Sequence, residues 1–325
     1  MRSRVASWFL TAVILGSAGI VSASNIEDPR SMLEQMRMAM SQMTYQGTFV
    51  YVQGEDVETM RITHVSDEHG VRERLVAVSG APREILRDSN GVRWVLADDH
   101  SIFEDPGFNR SFFPELPLDQ HDETDLSYTM KVGSVERIAG HQARNLKVLP
   151  RDQYRYGYSL WLEQHSGLLL KWELVDYNRK PLATLMFTDI RLGSEVDGNE
   201  LMSTSQLKKF KTTASKLPAG RGHTIKTPKW EPDKLPPGFR MTAHRYFGQE
   251  SEGIYEHLVY SDGLAAVSVY IESRKAEGGV QDGISKLGTT HAFSRVTDEL
   301  TITVVGDVPA ITVKEIAEAV GIAAP

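Results

Sequence analysis

Residues 154–177 constrain the fold more than any other stretch, because they alternate as the two arms of a paired strand do. Successive side chains of a strand point to opposite faces. Tyr154, Tyr156, Tyr158, Leu160 and Leu162 therefore share one face, and Arg155, Gly157, Ser159, Trp161 and Glu163 share the other. Ser166 and Gly167 supply the turn, since glycine reaches positive φ without steric cost. The return arm sets Leu168, Leu170, Trp172 and Leu174 on one face and Lys171 and Glu173 on the other. This pattern predicts a long, twisted hairpin whose apolar face covers something apolar. Periodicity alone does not say what.

The flanking sequence extends the same logic. Segments 47–52, 57–65, 71–79, 83–87 and 92–97 read as strands, separated by Gly54-Glu55-Asp56, Gly80-Ala81-Pro82 and Ser89-Asn90-Gly91. Strands resume over 127–149 and close with 182–192, giving an antiparallel meander. Ahead of them, Asp28 as N-cap and Pro29 at the first helical position open a helix. Met32, Leu33, Met36, Met40 and Met43 form its apolar stripe. Such a stripe suits a helix docked on a sheet and, compatibly, the adaptable wall of a lipid-accepting cavity. Residues 101–120 break the rhythm. Phe103, Phe108, Phe112 and Phe113 alternate with Pro106, Pro114 and Pro117, which excludes an inner strand. Those rings are either buried or kept for a ligand.

Composition then shifts. Residues 208–229 are lysine-rich and proline-punctuated, and they read as a linker between a large domain over 24–207 and a small one over 230–325. The linker's lysines are solvated or meet acidic lipid headgroups or an acidic peptide. In the small domain, strands are expected at 239–247, 254–260, 264–272, 289–296 and 300–305, with Val267, Val269 and Ile271 on one face. A closing helix over 312–320 has Thr312 as N-cap and Glu315 completing a capping box.

Charge and targeting narrow the role. Arg2 and Arg4, an apolar run over 8–14 and Val21-Ser22-Ala23 form a secretory signal peptide over 1–23; the alternative is an uncleaved anchor. The chain contains no cysteine, which excludes disulfides, thiolate chemistry and acylation at a lipobox. A formal charge of -7 over 325 residues argues against nucleic acid as a partner. No catalytic constellation emerges: there is no Gly-x-Ser-x-Gly elbow, metalloprotease helix or phosphate-cradling loop. His64, Asp67, Glu68 and His69 are the densest cluster of ligand-type residues and are expected on an exposed turn. Neither a cofactor nor a metal is expected. The residues alone describe an exported, β-rich binding protein.

Several blocks together resemble the RseB/MucB family, periplasmic negative regulators of an envelope-stress sigma factor of the sigma-E/AlgU type. They are Tyr45-Gln46-Gly47-Thr48-Phe49-Val50-Tyr51, Glu73-Arg74-Leu75 with Gly80-Ala81-Pro82-Arg83-Glu84, and Arg151-Asp152-Gln153-Tyr154-Arg155-Tyr156-Gly157-Tyr158. The small domain adds Leu235-Pro236-Pro237-Gly238-Phe239, Tyr260-Ser261-Asp262-Gly263-Leu264 and Thr303-Val304-Val305-Gly306-Asp307-Val308-Pro309. Residues 103–118 and the linker follow the pattern least. The resemblance implies an α+β, β-rich chain: an unclosed antiparallel β-barrel with helices, like the lipoprotein carriers LolA and LolB, plus a small C-terminal α/β domain. It also implies binding of the periplasmic region of a membrane-spanning anti-sigma factor (RseA or MucA type). That binding shields the region from site-1 protease, and lipopolysaccharide or another amphiphile releases it.

On that basis Phe49, Tyr51, Leu160, Leu162 and Phe112 are expected to line a lipid-binding concavity. Trp230, Phe239 and Tyr260 are expected beside a partner-binding groove between the domains. For each, ordinary core packing is the competing reading. A lipoprotein or lipid carrier on the same half-barrel is the competing function, though a simple carrier needs no second domain. Monomer and homodimer both remain open.

Overall fold

The computed structural model describes residues 28–98, 100–105, 127–193, 195–203, 211–214, 227–247, 255–274 and 281–322. The signal peptide expected over 1–23, and Phe108, Phe112 and Phe113, lie outside them.

Helix α1 (Pro29–Gln42) begins as its sequence predicts: Asp28 Oδ2 accepts the Ser31 amide at 3.0 Å, and Pro29 sits in the first turn. Its buried face is Met32, Leu33, Met36 and Ala39. Strands β1 (Tyr45–Gln53), β2 (Asp56–Asp67), β3 (Gly70–Ala77), β4 (Arg83–Asp88), β5 (Gly91–Leu96) and β6 (Ser101–Asp105) form one antiparallel meander. A second comprises β7 (Tyr128–Ile138), β8 (His141–Pro150), β9 (Gly157–Glu163), β10 (Leu169–Val175) and β11 (Pro181–Leu192). Pairing of β11 with β1 joins the two into a 12-stranded sheet, in the order β12-β6-β5-β4-β3-β2-β1-β11-β10-β9-β8-β7, where β12 is Lys211–Ala214. Among the described residues the two end strands do not pair, so the barrel is unclosed. The sheet nevertheless curls, because α1 packs against β2, β10 and β7, which lie far apart in that order.

Two large apolar clusters fill most of the interior, beside a small one of Tyr156, Leu174 and Ala183. One holds Phe49, Met60, Ile62, Leu75, Leu185 and Phe187; the Phe49 and Phe187 rings meet edge-on at 5.6 Å across the β1–β11 seam. The other joins Met32, Leu33 and Met36 of α1 to Leu146, Val148, Leu160 and Leu162. Burying each such side chain contributes roughly 1.5–3 kcal/mol.

Several expectations need correction. The hairpin is not apolar on one face only. A register break between Leu169 and Lys171 turns Leu168 and Leu170 into the first cluster with Trp161, while Leu169 joins Leu160 and Leu162 in the second. Both faces are thus buried. The extra residue reverses the side-chain alternation that a regular strand would keep. Residues 101–105, read as part of a loop, are a strand. Residues 211–214, read as linker, run parallel to β6 along the sheet's edge. His64 is not on an exposed turn: it is buried, stacked on Tyr45 at 4.6 Å, with Nδ1 2.9 Å from the Met43 carbonyl oxygen. Burial pulls its pKa down to about 4.

The remaining chain forms β13 (Trp230–Pro232), β14 (Arg240–Phe247), β15 (Tyr255–Ser261), β16 (Ala266–Ser273), β17 (Gly283–Leu287), β18 (Thr290–Val296), β19 (Leu300–Gly306), helix α2 (Ala310–Ala319) and β20 (Val320–Ile322). Six of these strands make an antiparallel sheet in the order β14-β15-β16-β19-β18-β17, and β13 pairs with β20. Helix α2 covers β18 and β19. As the alternation predicts, Val267, Val269 and Ile271 are buried together, against Ile302, Val304, Val313 and Ile316. The helix starts earlier than its capping-box pattern suggests. Pro309 is the N-cap and makes no side-chain cap, and Thr312 is used elsewhere.

Candidate functional site

The two sheets meet at a seam organised by one buried charge. Arg155, just before β9, has 0% of its surface exposed. Its Nη1 donates to Asp262 Oδ2 and its Nη2 to the Pro237 carbonyl, both across the seam. Its Nε donates to Asp152 Oδ1 at 3.0 Å. The Tyr128 and Phe239 rings flank the guanidinium carbon at 5.5 and 5.1 Å, one ring from each side of the seam. A buried guanidinium is tolerable only when its donors are matched in this way. Burial works against its charge, but Asp262 and Asp152 outweigh that and raise its pKa. Burial and the neighbouring Asp262 carboxylate likewise push Tyr128 up.

Asp262 is held from both sides. Its Oδ1 accepts the amides of Leu264 at 2.8 Å and Ala265 at 2.7 Å, building the β15–β16 turn. Its Oδ2 accepts the Tyr128 hydroxyl at 3.0 Å. The same turn pushes Leu264 into the large sheet's second cluster. Gly238 comes so close that an added Cβ would lie 2.5 Å from Ser127 Oγ, and its φ of +80° is itself a glycine conformation. Farther along, Thr312 Oγ1 donates to the Tyr154 carbonyl at 2.6 Å, and the Tyr154 hydroxyl lies 3.4 Å from Glu315 Oε1. Sequence blocks 151–158, 235–239 and 260–264 thus converge on Arg155.

Beside this hub lies a cavity of about 520 Å³, lined by Val52, Gln53, Tyr156, Leu182, Lys286 and Leu287 among others. Its walls are the ends of β1 and β11 on one side and the β17–β18 hairpin on the other. Gln53 Nε2 donates to Thr289 Oγ1 at 3.3 Å and ties the hairpin tip to the large sheet. Tyr156 reaches across to His291, with its hydroxyl 3.4 Å from Nδ1. Lys180 and Lys286 stand at the rim, with Asp56.

The expected site residues are placed as follows. Phe49 lies in the first large-sheet cluster, and Leu160 and Leu162 in the second, with Met40 and Trp172 packed against both. Tyr51 is half-buried with its ring 6.0 Å from Trp172. Phe112 lies outside the described residues. Trp230, Phe239 and Tyr260 share the small sheet's core, and of the three Phe239 reaches Arg155 across the seam. Sequence reasoning missed the roles of Arg155, Asp262 and Tyr128. It placed Arg155 on the hairpin's polar face, and a charge pair 107 residues apart leaves no periodic signal.

Comparison with known proteins places this architecture. A model of the MucB/RseB N-terminal domain matches residues 28–205, and one of the MucB/RseB C-terminal domain matches 224–321. The sigma factor AlgU regulatory protein MucB of Pseudomonas aeruginosa is 31% identical, over 94% of each chain. The sigma-E factor regulatory protein RseB of Escherichia coli K12 is 25% identical, over 96% of each. Among solved structures, MucB in complex with MucA(peri) superposes with a TM-score of 0.69 at 29% identity, over 92% of this chain and all of that one. MucB alone superposes at 0.62 with 26% identity, over 91% of this chain and 98% of that one. With both sheets matched in order and at nearly full length, the chain belongs to the MucB/RseB family.

Proposed function

We propose that this protein is a periplasmic negative regulator of a sigma-factor-dependent envelope stress response. It binds the periplasmic region of a membrane-spanning anti-sigma factor and keeps that region from site-1 protease. The observation that carries the reading is the cleft between the two sheets, in a chain matched along its length by a relative solved with MucA(peri). A cleft bounded by two separately cored units suits a switch. A segment that touches both units is held when they are docked and released when they part. On this reading 24–207 and 230–325 act as the two domains, and 208–229 joins them, with its residues 211–214 laid along β6.

The large sheet, as an unclosed half-barrel of the LolA/LolB type, is where lipopolysaccharide or another amphiphile enters. Phe49, Leu160 and Leu162 are already packed, so entry displaces α1, whose methionine-rich face adapts more readily than branched side chains do. Each acyl CH₂ buried gains about 0.8 kcal/mol, which offsets that displacement. If amphiphile and anti-sigma segment favour different dockings of the two sheets, each weakens the other by the same factor.

The test is protease protection. The mature chain should slow cleavage of the cognate periplasmic segment by purified site-1 protease, and lipopolysaccharide should restore the rate. Unchanged cleavage in the presence of saturating mature chain would refute the shielding role.

A further inference from the structure

We propose that the outer edge of β17 is a docking strand, and that an extended stretch of the anti-sigma segment pairs with it as an added strand. This rests on the function proposed above and names where and how the partner is held.

Each of the two large sheets ends in two outer strands, and three of these four are blunted. The β7 edge has a register break between Val132 and Val135 and carries Lys131, Glu136 and Arg137. The β14 edge has a break between Met241 and Ala243 and carries Arg240 and Arg245. The β12 edge is four residues long. Bulges, charges and shortness are the usual protections of a sheet edge. By contrast, β17 pairs with β18 in unbroken register, and Lys286 is its one charge. It exposes Ile284 at 54% and Leu287 at 85%. Among the described residues, nothing pairs with its outer side.

The geometry also says which groups are on offer. Leu287 and Thr290 flank a two-residue turn, Gly288-Thr289, in which Gly288 takes φ +61° as the first residue of a type II′ turn. That makes Leu287–Thr290 a hydrogen-bonded pair. By alternation Ser285–Ala292 and Gly283–Ser294 are also bonded, while Ile284 and Lys286 turn their N–H and C=O groups outward. Ile284 lies opposite Phe293 and Lys286 opposite His291, on the face that α2 covers farther in.

An added strand would extend that face. It would set an apolar side chain beside Ile284 and a carboxylate beside Lys286, with an apolar residue on the reverse face beside Leu287. At the rim of the adjoining cavity Lys286 and Lys180 outnumber Asp56, which favours an acidic segment there. The strand's end at Leu287 opens into that cavity, so an extended segment runs on into it without changing direction.

The test uses the full mature chain and the periplasmic segment of its cognate anti-sigma factor. Residue-resolved hydrogen exchange should show the Ile284 and Lys286 amides slowed in the complex, with the inward-facing amides of Ser285 and Leu287 little changed. Lys286→Pro removes one outward N–H and leaves the β18 pairing intact, as a proline on a solvent-facing edge position does. It should weaken binding by on the order of tenfold or more, the worth of about one hydrogen bond together with the lost Lys286 charge, whereas Lys286→Gln, which keeps the N–H, loses the charge alone. If the wild-type chain binds but those two amides exchange as fast as before, the docking strand is wrong and the regulator reading stands. This holds even if the proline variant fails to fold. If the wild-type chain does not bind at all, both fail. Slowing that appears without the segment as protein concentration rises would make a second copy the occupant and overturn the proposal.

Discussion

Removing Arg155 should uncouple the two sheets. The guanidinium is fully buried and makes three charge-assisted or carbonyl contacts, two of them across the seam. Breaking a buried ion pair by deleting one partner typically costs about 3–5 kcal/mol. The two partners are not equivalent. In Arg155→Met, Asp262 keeps the Tyr128 hydroxyl and the Leu264 and Ala265 amides, so its carboxylate stays solvated by the protein. The cost should fall at the lower end, about 3 kcal/mol. In Asp262→Ala, those two amides and that hydroxyl lose their acceptor along with Arg155. The cost should therefore exceed that of Arg155→Met by about 1–3 kcal/mol. Asp262→Asn keeps the turn and isolates the charge. Urea denaturation of the mature chain, followed by far-UV circular dichroism and tryptophan fluorescence, reads all three. Because each sheet has its own core, the Arg155→Met transition should split in two, the parts reporting Trp161 and Trp172 in one sheet and Trp230 in the other. An Arg155→Met/Asp262→Asn double-mutant cycle with coupling under about 0.5 kcal/mol, and no split, would refute the clamp.

Other outcomes follow from the same contacts. Gly238→Ala should cost about 1–3 kcal/mol, since alanine suffers both at φ +80° and against Ser127 Oγ; unchanged stability by denaturation would contradict that close approach. Phe49→Ala should cost about 3–5 kcal/mol in the same assay, as expected for a core ring against Phe187 rather than a vacant lipid contact. His64 is neutral in the folded state down to about pH 4 and titrates at the ordinary value of 6.5 when unfolded. Its folded-state pKa is depressed, so protonation favours the unfolded chain. Stability is unaffected above pH 6.5 and is lost as pH falls from there to 4, by about 3 kcal/mol in total. In His64→Gln that part of the pH dependence should vanish.

Much of the fold was legible because half-buried strands alternate and helix starts carry caps. Asp28, Pro29 and the β1–β5 meander lie where the pattern puts them. What escaped had physical reasons. Residues 283–287 are exposed on both faces and so carry no apolar alternation. Lys211-Thr212-Thr213-Ala214 is polar and pairs along an edge. The faces at Leu168–Leu170 were inverted by a single register break. Thr312 matched a capping box, but its hydroxyl serves the Tyr154 carbonyl across the seam. Arg155, Phe239 and Asp262 of the hub fall in three separate blocks of the sequence. Their meeting at Arg155 is a tertiary fact that no local rule contains.

The most direct measurement is capture of the periplasmic segment of the cognate anti-sigma factor by the mature chain, with and without lipopolysaccharide. The account predicts tight capture that lipopolysaccharide reverses. Failure to capture the segment, with retention of acylated lipoproteins instead, would contradict it and favour a carrier.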